Sequence, residues 1–279
     1  MIDKKEFLLH AIIKAYIENL EPIGSNQLKS MYNISYSPAT IRGYFKKLGE
    51  EGYLAQEHIS SGRIPTTEAL KEYWSQRLTF DLPYINYDRL KELSTKMGLT
   101  VFIKQQTKDT LHRVLNVDNV YMILEFYKTK TFTNSEFALT TSNDSYAITI
   151  KFNSAFYKFL NDMVGRSFDD ILDISLQVGA RHLYTELSGY IQNNIFEIIN
   201  TKEFLQLALQ KDLDEKGINL FLQGDIMMRV DQGIYLDGLV PNGYIGIGHN
   251  TNIDGTDIKI LVIGDLTKDY EYFYKGITK

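Results

Sequence analysis

Residues 37–48 hold the densest set of side chains suited to one kind of chemistry. At about 100° per residue, Ile41, Phe45 and Leu48 fall on one side of a helix, and Ala39, Thr40, Gly43, Lys46 and Lys47 fall on the other. Small side chains on that second face allow close approach to base edges, and Lys46, Lys47 and the long Arg42 beside them suit phosphates. Tyr36 and Ser37 border the start of this face, and Lys29, His58 and Arg63 are further basic groups for contacts to a nucleic-acid backbone. Taken alone, Lys46 and Lys47 are as well explained by an ordinary solvated surface. The elements around them decide between the two readings.

Those elements form a recognisable order. Over residues 4–20, Phe7, Leu8, Ala11, Ile12, Ala15 and Tyr16 recur at three- and four-residue spacing, which predicts an amphipathic helix ended by Glu21-Pro22. Gly24-Ser25 supplies a turn and an N-cap for a short helix over 26–32, with Leu28 and Met31 inward, and Asn33 stops it. Ser37 then caps a third helix that has Pro38 in its first turn, where the missing N–H costs nothing. Gly52 closes that helix, residues 53–56 read as a strand, Ser60-Ser61-Gly62 as a turn, and Arg63-Ile64-Pro65 as the returning strand. Helix, short helix, capped helix and hairpin predict a winged helix-turn-helix over residues 1–78, with its last helix in the major groove of a duplex.

Other chemistries lack their residues. The chain has no cysteine, which excludes disulfides, thiol nucleophiles and Cys-ligated zinc and suits a reducing compartment. The five histidines stand apart from one another at no metal-ligand spacing. Asn250, Asn252 and Asp254-Gly255 resemble the first half of an EF-hand loop, but Leu261 occupies the place of the bidentate glutamate, so the segment reads as a turn. Gly243, Gly246 and Gly248 are not followed by the third glycine of a dinucleotide fingerprint, and a glycine in a strand more often marks a bulge. No activated nucleophile or paired acid and base can be named, so no enzyme activity and no cofactor are expected.

Length and charge set the frame. At 279 residues with 44% hydrophobic content, the chain is expected to fold throughout as more than one domain. The net charge of −5 is divided unevenly: residues 1–80 hold seven Lys and three Arg against eight Glu and one Asp, a net +1, which leaves −6 for the rest. The early residues Asp3, Lys4, Lys5 and Glu6 do not resemble a signal peptide, and no apolar run reaches the ~20 residues of a membrane span. A cytoplasmic protein is expected.

Beyond residue 78, a helical connecting segment is predicted over 77–97, marked by Leu78, Leu82, Leu90 and Leu93. Strands are predicted at 101–103, 114–117, 120–127, 132–139 and 146–152. Helices follow: one capped by Asn153 and closed at Gly165, one marked by Ala180, Leu183, Tyr184, Leu187 and Ile191, and one from Thr201 with Phe204, Leu205 and Ala208 inward. Strands resume at 244–247 and 258–263 around an Asp254-Gly255 hairpin signal. A sheet interrupted by helices and then completed suggests one domain inserted in another, within an α+β multidomain chain.

The blocks Glu21-Pro22-Ile23-Gly24-Ser25, Ser37-Pro38-Ala39-Thr40-Ile41-Arg42, Gly52-Tyr53-Leu54 and Ser61-Gly62-Arg63-Ile64-Pro65-Thr66 resemble those of HrcA, a family of bacterial heat-inducible transcription repressors. The closing Leu261-Val262-Ile263-Gly264-Asp265 and Asp269-Tyr270 are similar to the end of that family. The resemblance implies a GAF-like α+β domain of residues 79–152 and 225–279, carrying an inserted, largely helical dimerising domain over 153–224. It also implies repression of chaperone genes by a homodimer on a double-stranded inverted-repeat operator of CIRCE type, with the GroEL chaperonin as modulator. Gly43 stands where the family usually has asparagine, which removes a possible base-reading side chain, and the C-terminal region lacks helical sequence between about residues 224 and 232. Two other readings keep the DNA-binding segment or its fold: a regulator sensing a small ligand through the GAF-like domain, and a winged helix that binds RNA.

Overall fold

The computed structural model describes residues 3–58, 61–78, 82–105, 109–127, 145–189, 196–222, 224–253 and 256–279. The chain is mixed α+β. Its first block is built from helices α1 (Lys4–Asn19), α2 (Ser25–Tyr32) and α3 (Pro38–Glu50), followed by the short antiparallel ribbon of β1 (Leu54–Ala55) and β2 (Ile64–Pro65). Leu8, Ile12, Leu28, Ile41, Phe45, Leu48 and Leu54 close on one another as its core. Local caps set the helix starts: Asp3 accepts from the Lys5 N–H at 3.2 Å and Ser37 from the Thr40 N–H at 3.1 Å. Helix α2 starts one residue earlier than its sequence suggests, with Gly24 rather than Ser25 in the cap position, and Met31 is exposed while Leu28 is buried.

A five-stranded antiparallel sheet forms the centre of the chain, in the order β7 (Phe196–Ile199), β3 (Thr100–Gln105), β10 (Thr256–Asp265), β9 (Tyr244–Ile253) and β8 (Gly233–Tyr235). One face carries Val101, Ile103, Ile260 and Val262 against α4 (Thr67–Arg77), α5 (Tyr87–Met97) and α11 (Tyr270–Ile277). The other carries Phe102, Leu261 and Ile263 against α9 (Thr201–Gln210), α10 (Glu215–Leu222) and a 3-10 turn at Asp225–Met228. The alternation of strand side chains makes both faces apolar, which is why these strands read as nearly continuous Val, Ile and Phe.

A second sheet of three antiparallel strands, β4 (Thr110–Val117), β5 (Tyr121–Tyr127) and β6 (Ser145–Lys151), packs Leu111, Met122, Leu124, Phe126, Ile148 and Ile150 against α6 (Ser154–Asp162), α7 (Phe168–Gln177) and α8 (Arg181–Ser188). Asn153 caps α6 by accepting from the Ala155 and Phe156 N–H groups at 3.0 and 3.1 Å.

Four sequence expectations need correction. The helical connecting segment expected over 77–97 is helical only in its second half, because α4 ends at Arg77 and α5 begins at Tyr87 after Pro83, and both helices pack on the central sheet. The boundaries 79–152, 153–224 and 225–279 do not follow the cores. Strands β4 to β6 form a sheet of their own, which β4 extends by an isolated bridge from Thr110 to Ser167, whereas β7, α9 and α10, from within 153–224, complete the five-stranded sheet and its covering layer. Local pattern cannot assign a strand to one of two sheets; long-range pairing does. Leu205 is exposed, not inward, and Gly248 sits in an unbroken ladder with β10, where a side chain would strike the carbonyl of Asp231. The expected strand at 132–139, Ile191 and the Asp254-Gly255 turn lie outside the described residues.

Candidate nucleic-acid interface

Helix α3 owes its orientation to its buried stripe. Ile41, Phe45 and Leu48 are held in the core of the first block, so Ala39, Thr40, Gly43, Lys46 and Lys47 point away from it and are exposed. Ser37, also exposed, serves twice at the start: its Oγ accepts the Thr40 N–H and lies 2.9 Å from the Thr40 hydroxyl. Tyr36 is half-buried against the core, with the Lys4 ammonium 5.6 Å above its ring. Lys46 lies 3.8 Å from Glu50 and Lys47 lies 5.8 Å over the Tyr44 ring, both in contacts too exposed to hold the side chains still. An unobstructed face of small residues with mobile cations along one edge can enter a groove and neutralise its rim.

The four motif blocks, distant in sequence, meet around this helix. The base of the ribbon is tied to the α1–α2 turn, since Ile23 and Arg63 exchange backbone hydrogen bonds of 2.9 Å in both directions. Gly62 makes this possible: a Cβ there would lie 2.6 Å from the backbone of Pro22 and Ile23. Thr66 donates its hydroxyl to the Gly52 carbonyl at 2.8 Å and receives the Ala69 N–H, which fixes the end of the ribbon to the end of α3 and the start of α4.

Arg42 stands at the edge of the open face, and its guanidinium donates to the Ser25 hydroxyl at 3.3 Å. It shares a cleft of about 410 Å³ with Arg63, between α2, the flank of α3 and the ribbon. Lys29, half-buried on α2, and His58, exposed at the ribbon turn, do not line that cleft. The His58 N–H instead donates to Ser61 Oγ at 3.1 Å, and Ser61 returns its hydroxyl to the His58 carbonyl at 2.8 Å, shaping the turn. Sequence reasoning missed Ser25, Asn26, Gln56 and Ser61, which line the cleft with the two arginines. Ser25 and Ser61 belong to the four blocks and Asn26 adjoins one, whereas Gln56 is marked only by its place in the expected strand over 53–56.

Elsewhere among the described residues, burial perturbs an imidazole and a carboxyl. The solvent-inaccessible His249 is pushed down to about 4 by loss of hydration, with the Tyr274 ring edge-on at 4.9 Å. Asp173 is pushed up to about 6, because burial outweighs the attraction of Lys259 and Lys104. No group of three or more His, Cys, Asp or Glu suited to a metal ion occurs among the described residues. No described helix is long and apolar enough to cross a membrane.

The chain is similar to known proteins over its whole length. A family model described as the HrcA C-terminal domain matches residues 74–279. A protein of Helicobacter pylori strain J99 named heat-inducible transcription repressor HrcA is 30% identical over 282 residues, covering 100% of this chain and 96% of that protein. One of the same name from Thermoanaerobacter pseudethanolicus is 44% identical over 86 residues, covering 31% of this chain and 24% of its own length. With the domain model spanning most of the chain and a full-length relative at that identity, the chain belongs to the HrcA family of heat-inducible transcription repressors.

Proposed function

We propose that this protein represses heat-shock chaperone genes by seating α3 in the major groove of an inverted-repeat operator of the CIRCE type. Residues 3–78 act as a winged helix-turn-helix, with the β1–β2 ribbon as the wing. The observation that carries this reading is the open face of Ala39, Thr40, Gly43, Lys46 and Lys47, turned outward by the buried Ile41, Phe45 and Leu48. Thr40 and Gly43 approach the bases. Arg42, Lys46, Lys47 and Arg63 neutralise phosphates, while Lys29, Tyr36, Ser37 and His58 border the contact.

An inverted repeat is read by a two-fold dimer whose α3 helices lie one or a few helical turns apart. The homodimer is therefore part of the proposal, with the segment that interrupts the five-stranded sheet as the dimerising region and that sheet as a GAF-like domain. The protein works in the cytoplasm. The GroEL chaperonin sets the amount of active repressor: a fold only a few kcal/mol from unfolding loses operator occupancy steeply when a stabilising partner is withdrawn.

Footprinting of the full chain on promoter DNA upstream of chaperone genes tests the reading. Two protected half-sites related by a dyad are expected. Protection of a single asymmetric site, or none at any salt concentration, would overturn it.

A further inference from the structure

Three clefts among the described residues differ in charge. The one between α1 and α4 is lined by Glu6 and Glu72 with His10, and the one between the end of α3, α4 and Leu236-Asp237 by Glu51, Glu68, Glu72 and Asp237 around a single cation, Lys71, which is paired with Glu68 and Asp237. The cleft beside α3 has no carboxylate in its lining. It presents Arg42 and Arg63 with the polar side chains of Ser25, Asn26, Gln56 and Ser61, in a chain whose net charge is −5.

Its walls are set before any partner arrives. The Arg63 backbone is paired with Ile23 in both directions, Gly62 lies against Pro22-Ile23, the Arg42 guanidinium rests on Ser25, and the Gln56 amide donates to the Ser61 carbonyl at 3.1 Å. Two forked, always-charged side chains lining one concavity suit an anion with several oxygens, and holding the Arg42 fork and the Arg63 backbone in place lowers the cost of ordering on binding.

We infer that this cleft is the seat of a single backbone phosphate of the duplex, held jointly by Arg42 and Arg63. The inference rests on the proposed duplex reading and adds a stoichiometry to it. A helix lying in a groove is flanked by the phosphates of its walls, and the cleft is bordered on α3 by Arg42, next to Gly43 of the exposed face. Lys46 and Lys47, outside the cleft, meet other phosphates.

The test is the salt dependence of binding to a duplex carrying the CIRCE-type inverted repeat, measured by fluorescence anisotropy with the full chain and with Arg42→Gln, Arg63→Gln and the double variant. Each phosphate that is no longer neutralised takes about 0.9 from the slope of log K against log salt. One shared phosphate predicts that the double variant loses about one such unit per protomer, and that its loss of affinity is smaller than the product of the two single losses. Lys47→Gln, as a control, subtracts its own unit from every background.

A loss of about two units in the double variant would put the arginines on separate phosphates and overturn the inference. An unchanged slope would also overturn it, by removing the cleft from the interface. Wild-type protein that shows no salt-dependent duplex binding would sink the duplex reading itself, a result distinguishable from both. Circular dichroism of each variant checks that it folds, and Arg63→Lys, which keeps the charge but not the fork, should retain the slope while losing affinity.

Discussion

The indole N–H of Trp74 donates a 2.7 Å hydrogen bond to the carbonyl of Leu266, 192 residues away in the chain. Both residues are buried, and the Trp74 ring meets Tyr73 and Tyr270 edge-on at 5.0 and 5.2 Å. This one contact joins α4, which leads out of the first block, to the turn after the last strand of the central sheet. Trp74→Phe keeps most of the apolar surface and leaves a buried carbonyl without its donor. A loss of about 1–3 kcal/mol in urea denaturation followed by circular dichroism is expected. An unchanged midpoint would show that the carbonyl finds another donor.

The same chemical change at two glycines should have opposite signs. A Cβ at Gly62 would press within 2.6 Å on the backbone of Pro22 and Ile23, whereas one at Gly43 meets nothing within 4 Å. Gly62→Ala should cost about 1–3 kcal/mol and weaken duplex binding by unseating the ribbon. Gly43→Ala should stabilise the helix by up to about 1 kcal/mol. Thermal denaturation of the two variants side by side tests this, and equal shifts would contradict it.

Ser37→Ala removes the acceptor that satisfies the Thr40 N–H. About 1 kcal/mol of stability should go with it. Hydrogen exchange should report faster opening of the first turn of α3, with the ribbon unaffected.

A half-buried carboxyl and a buried imidazole should give pH responses of opposite sign in the same window. Asp173, ordinarily near 4 and held at about 6 by burial against the pull of Lys259 and Lys104, binds its proton more readily folded than unfolded. Its contribution to stability is therefore present at low pH and is lost as pH rises through about 6. His249, ordinarily near 6.5 and held at about 4 by its lack of hydration, binds its proton less readily when folded. Its contribution is present above about 6.5 and is lost as pH falls toward 4. Each can tilt stability by at most about 1.4 kcal/mol per pH unit, less for the partly exposed Asp173. Between pH 4 and 6.5, His249→Gln should flatten the loss on acidification and Asp173→Asn should steepen it. Denaturation midpoints across that range that move identically for both variants would refute the assignment.

The sequence by itself determined what nearest neighbours decide. The cap at Ser37, the stripe of Ile41, Phe45 and Leu48, and the turn before α2 depend on residues a few positions apart, so the first block and the open side of α3 were readable without coordinates. The runs at β3, β5, β6, β9 and β10 were legible as strands for the same reason. Only the tertiary structure decided which strand joins which sheet. Leu124 and Leu261 sit in equally apolar strands, yet one faces α6 to α8 and the other α9 and α10, because pairing is selected by contacts spanning most of the chain. The same holds for the cleft: Ser25, Arg42 and Arg63 are unremarkable apart and converge only when Gly62 lets the ribbon lie on Pro22-Ile23. Periodicity records the face a residue shows. Its partner across that face depends on the free energy of closing long loops against burying area, which no local window contains.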